Sequence, residues 1–198
     1  MNAVVLPRPR TAAVVVAAGC ALLVLRPLFV PGPDQTLLLV TLFGGLLVVG
    51  RAWPRAGPSP DFRALEGVRG PSAHRSRWNA APVLAIGVAA FAVGRVLGGG
   101  HAPQPLALRI VALQSLAAVA EEAFFRRFVY DSLLPNGATV AVAGSALLFA
   151  AVHVSVYGFW VLPIDLGAGA LLSWQRWASD SWTVPAVTHV LANLLVVI

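Results

Sequence analysis

Residues Ala117 to Tyr130 read AAVAEEAFFRRFVY. Two carboxylates, Glu121 and Glu122, sit in a run that otherwise has the composition of a membrane-buried helix, and Arg126 and Arg127 follow within about one turn. A charge at bilayer depth costs roughly 2.5–3.5 kcal/mol on insertion scales, so it needs a partner and often marks function. Glu122 and Arg126 are four residues apart, share one helix face and can pair. Glu121 points about 100° away from its neighbour and is free to face a cavity. The spacing therefore divides the labour between a carboxylate held by arginine and one open to react. Two plain interhelical salt bridges would fit the same residues, so the rest of the chain has to decide.

Of the 198 residues, 58% are hydrophobic and 11% are charged, and the mean hydropathy is +0.80. A soluble domain carries about 25% charged residues. The deficit points to an integral, multi-pass membrane protein: an all-α bundle of six to seven spans, expected to form a single membrane domain over 1–198. The net charge is +6 and every one of its cations is arginine. The arginines fall mainly between apolar runs, which suits headgroups and topology and gives no reason to expect nucleic acid. Cys20 is the only cysteine, so neither an intrachain disulfide nor a Cys-based metal site can form.

The first apolar run, Thr11 to Val30, follows Arg8 and Arg10 and superficially resembles a signal peptide. It is as long as a spanning helix and more spans follow, so it reads as a retained first helix. Pro31 to Asp34 is a turn, and Gln35 to Gly50 is the second span. Arg51 to Asn79 holds six arginines and reads as a cytoplasmic loop bracketed by Trp53 and Trp78. Ala81 to Leu97 is the third span, broken by Gly98-Gly99-Gly100, Pro103 and Pro105. The fourth, Leu106 to Leu134, carries the carboxylates back to the cytoplasmic face. Ala138 to Val156, Phe159 to Trp174 and Trp182 to Ile198 follow, with Trp174, Arg176 and Trp177 as an interfacial belt. This count places the N-terminus in the cytoplasm, and the membrane expected is of the bacterial cytoplasmic type.

Two of the later spans carry the other candidate polar groups. His153 stands alone in FAAVHV, where a satisfied packing histidine is the commoner case. His189 and Asn193 are four apart on one face and can donate to one small object. At 1.5 Å per residue Glu121 lies ~13 Å from Tyr130, His189 ~10 Å from Trp182 and His153 ~22 Å from Ala138, so His153 is the outlier of the layer. A carboxylate, two imidazoles and an amide can activate water and stabilise an oxyanion. One carboxylate and two imidazoles can instead hold a divalent metal.

These pieces resemble the three motifs of the CPBP family, the CAAX-protease or abortive-infection intramembrane proteases. The first is Glu121-Glu122-Ala-Phe-Phe-Arg126, the second Phe149-Ala-Ala-Val-His153, the third His189-Val-Leu-Ala-Asn193. They occur in order on three separate spans. The resemblance divides the chain into N-terminal spans and an Arg-rich loop, 1–105, and a catalytic core, 106–198. It implies a glutamic-type intramembrane endopeptidase in which Glu121 is the general base, His153 helps bind the water, and His189 and Asn193 form the oxyanion site. Glu122 and Arg126 would support that geometry. It implies no cofactor; a metal-dependent version would place zinc on Glu121, His153 and His189.

The substrate implied is a membrane protein or lipidated peptide at the bilayer: a prenylated C-terminus, a bacteriocin-type leader or a C-terminal sorting anchor. A dedicated partner membrane protein is compatible with this. The rival reading is a non-catalytic membrane protein, an immunity factor or a proton-linked carrier with Glu121 as relay. Carriers often show inverted repeats, and this sequence shows none.

Overall fold

The computed structural model describes residues 9–29, 35–53, 78–98 and 108–197. Most of the Arg-rich loop, the Pro31–Asp34 turn and the Gly/Pro break after Gly98 lie outside these residues. Every regular element among them is helical. Helix α1 spans Pro9–Phe29, α2 Gln35–Ala52 and α3 Ala80–Leu97. Helix α4, Leu108–Glu122, runs through a π-helical segment, Ala123–Val129, into the short α5, Tyr130–Leu133. Helices α6, Ala138–Tyr157, α7, Leu162–Ser179, and α8, Thr183–Val197, complete the bundle.

Residues 10–28, 35–52, 80–97 and 138–157 are each long and apolar enough to cross a bilayer. Their outward faces carry the apolar side chains a lipid phase accepts, among them Leu22, Leu37, Val48, Val93 and Leu147. The chain is an all-α integral membrane protein.

The core lies where α1 and α2 meet the π segment. Leu23, Phe43 and Leu46 are buried with Phe124, Phe125 and Phe128, and Trp53 lies 4.5 Å from the Phe128 ring. The first two helices thus clamp the segment that joins the two glutamates to the arginines. Helices α6 and α7 form a tight antiparallel hairpin. At Gly169 a Cβ would lie 3.0 Å from the Ala146 carbonyl oxygen, so only glycine permits this approach without displacement.

The π segment departs from the continuous α-helix expected over Leu106 to Leu134. The Tyr130 amide donates to the Phe125 carbonyl, five residues back. Two side chains from neighbouring helices meet the loosened carbonyls. Ser145 Oγ donates to Phe125 O at 2.9 Å, and Arg176 Nε donates to Arg126 O at 3.1 Å. Wide turns of this kind concentrate at functional sites.

Arg176 is therefore not the interfacial anchor expected from its tryptophan neighbours. It is 8% exposed. Its Nη2 donates to Asp131 Oδ1 at 3.0 Å and its Nη1 to Asp180 Oδ1 at 2.7 Å. Its guanidinium lies 5.0 Å from the centre of the Tyr130 ring. The longer α7, which runs on to Ser179, brings Arg176 beside α5 and makes this clamp.

Candidate active site

Glu121 and Glu122 close helix α4 and are both buried. Arg126 Nη1 approaches Glu122 Oε1 at 3.1 Å, and both side chains are fully enclosed. His189 Nδ1 lies 3.0 Å from the same oxygen. Opposite charge and hydrogen bonding offset the desolvation of this buried carboxylate. The second Arg126 amine, Nη2, donates to Gly169 O at 3.4 Å. One carboxylate oxygen thus ties α4 and the π segment to α8, and Arg126 extends the tie to α7.

Glu121 takes no part in that cluster. It is 6% exposed, and its Oε2 stands 3.8 Å from His153 Nε2. That distance is too long for a direct hydrogen bond. His153 Nδ1 lies 2.7 Å from the Phe149 carbonyl, so Nδ1 carries the proton and donates it there. In the neutral ring Nε2 is then an acceptor. Two acceptors face each other across a gap that one water molecule can bridge.

The depth that set His153 apart is resolved by the hairpin. Glu121 and His153 each lie sixteen residues from Gly137, on the two arms that meet there. The descending arm continues to Leu133, past the Tyr130 from which Glu121 had been measured, so the two residues are level. Gly137 turns the corner at φ +107°, a conformation glycine adopts without strain.

Phe149 is a plate shared by the whole cluster, a role its motif spacing did not reveal. The Arg126 guanidinium sits 4.3 Å from its ring centre. The His153 and His189 rings lie 4.5 Å and 5.9 Å from it. An aromatic face over a guanidinium and against two imidazoles fixes all three without donating a hydrogen bond. His153 is stacked on its other side by Tyr157, with planes 8° apart.

Asn193 is on the face of α8 that carries His189. Its Nδ2 donates to the Gln114 carbonyl on α4 at 3.3 Å. An amide nitrogen carries two protons, so this bond anchors the side chain and leaves one donor. His189 has committed Nδ1 to Glu122, so Nε2 donates only in the doubly protonated ring. Among the described residues no three His, Cys, Asp or Glu side chains are arranged to hold a metal ion. Each imidazole engages its Nδ1, His153 with the Phe149 carbonyl and His189 with Glu122.

Asp165 belongs to none of the three motifs. It lies in the first turn of α7, and its charge interacts with His153, Glu121 and His189. No motif spacing signals this, because Asp165 reaches the site through the α6–α7 hairpin.

Residues 103–195 match the family described as type II CAAX prenyl endopeptidase, Rce1-like. Comparisons with curated proteins and with solved structures gave no match. The matched stretch contains all three motifs and every side chain of the cluster around Phe149. Over these residues, just under half of its length, the chain is similar to the Rce1-like family of type II CAAX prenyl endopeptidases.

Proposed function

We propose that this chain is an intramembrane endopeptidase that hydrolyses a peptide bond in a membrane-associated substrate. The observation that carries the reading is the 3.8 Å gap between Glu121 Oε2 and His153 Nε2. A water in that gap donates one hydrogen to each acceptor and directs its lone pair outward. Glu121 takes the proton as the water attacks the scissile carbonyl, and His153 holds the water in line. His189 Nε2, in the imidazolium state that Glu122 counterbalances, and the second amide proton of Asn193 donate to the developing oxyanion. Glu122 and Arg126 position His189. The family match favours hydrolysis over a carrier.

In this reading 106–198 is the catalytic core, and the earlier helices brace the π segment. The end of the bundle with Arg51, Trp53 and Arg176 faces the cytoplasm of a bacterial-type membrane, as the bias of arginine supports. The substrate is a lipidated or membrane-anchored peptide, which reaches the site from the bilayer. The test compares the termini of membrane proteins from cells with and without this chain, grown in heavy-oxygen water. The proposal expects at least one new C-terminus that depends on the chain and carries the heavy label. Identical termini in both cells would overturn it.

A further inference from the structure

An aspartate within a membrane bundle needs a physical reason, because its charge is costly there. Asp165 lies four residues beyond Val161, and His153 lies five residues before Gly158, on the two arms of one hairpin. At the helical rise these offsets are ~6 Å and ~7 Å, so the two side chains start at one level. Asp165 Oδ2 is fully buried and accepts no hydrogen bond from the described residues. The titratable groups acting on it are His153 from α6, Glu121 from α4 and His189 from α8. Glu122 behind them is already compensated by Arg126 at 3.1 Å.

Arg126 also acts on Glu121, so among the described residues Asp165 faces two imidazoles and a carboxylate but no guanidinium. Asp165 is half-buried as a residue, with Oδ2 enclosed, and two carboxylates that act on one another in a membrane bundle resist ionising together. Glu121 has to be ionised to accept a proton from water. We propose that Asp165 is the carboxyl group that keeps the proton and delivers it to the departing nitrogen. This rests on the reading of Glu121 as the base.

The step balances. The water oxygen bonds to the carbonyl carbon while its proton passes to Glu121. When the tetrahedral intermediate collapses, the C–N bond breaks and its electron pair stays on nitrogen. Nitrogen takes the Asp165 proton and leaves as an amine. The proton on Glu121 then returns through water to Asp165. One water is consumed, and one carboxyl and one amino terminus are formed.

The proton can be read without a substrate. Infrared spectra of the full chain in lipid bilayers at neutral pH should show a protonated-carboxyl stretch that Asp165→Asn removes and Asp165→Glu retains at a shifted frequency. Absence of that stretch from the wild type, or its full persistence in Asp165→Asn, overturns the proposal. In cells Asp165→Asn should slow chain-dependent processing by ~10²-fold or more, the usual weight of general acid–base help. Asp165→Glu should restore part of the rate at an unchanged membrane level. Wild-type processing by Asp165→Asn overturns the acid role. Full processing by Glu121→Gln instead defeats the base, and the infrared result still reports on Asp165.

Discussion

Among the described residues two charged clusters are buried, and they are built differently. At one end Arg176 spends Nε, Nη1 and Nη2 on Arg126 O, Asp180 and Asp131, all within 3.1 Å. Around Phe149 the bookkeeping stays open. Glu121 and His153 stop 3.8 Å apart, and Glu122 Oε2, Arg126 Nε and Asp165 Oδ2 are buried without hydrogen-bond partners among the described residues. A closed network spends its polar groups on holding helices together. An open one keeps capacity for a molecule that is not part of the chain. Because unsatisfied buried groups cost about 1–3 kcal/mol each, the open cluster is the costly one, and that cost fits the hydrolytic role proposed for it.

The contrast breaks if both clusters respond alike to the loss of a carboxylate. Glu121→Gln is expected to have the largest effect on activity, ~10²-fold or more, with little change in melting temperature. Glu122→Gln is the converse within the same helix. It leaves Arg126 buried without its counter-charge, so thermal unfolding in detergent should show a loss of about 3–5 kcal/mol, and processing should fall with it. Asp131→Asn should cost about 3 kcal/mol by the same measurement, the lower end of that range, because Arg176 keeps Asp180. Asp180 is 59% exposed at its side chain, so Asp180→Ala should cost under about 1 kcal/mol. Equal destabilisation by the Asp131 and Asp180 variants would mean that burial does not set the strength of the clamp.

The motifs made the polar layer around Phe149 legible because each pairs residues at i and i+4 on one helix. Glu122 with Arg126 is local in this sense, and the helix face alone told it apart from Glu121. The bundle was legible for the same reason, since apolar runs of spanning length leave few alternatives. The π segment was not, because the groups that meet its carbonyls, Ser145 and Arg176, come from other helices. Arg176 between two tryptophans has the local pattern of an interfacial anchor, and only α5 beside it supplies Asp131. Asp165 is a third case, brought level with His153 by a hairpin whose register no local spacing encodes. Phe149 lay within a motif, but its contact with Arg126 is a tertiary one.

The central claim is that Glu121 activates water while its neighbour Glu122 only positions. The most direct measurement compares chain-dependent membrane-protein termini in cells carrying the wild type or Glu121→Gln at equal membrane levels. The account predicts that the new termini vanish with Glu121→Gln although the protein remains inserted and melts like the wild type. The same termini produced at the wild-type rate by that variant would contradict it.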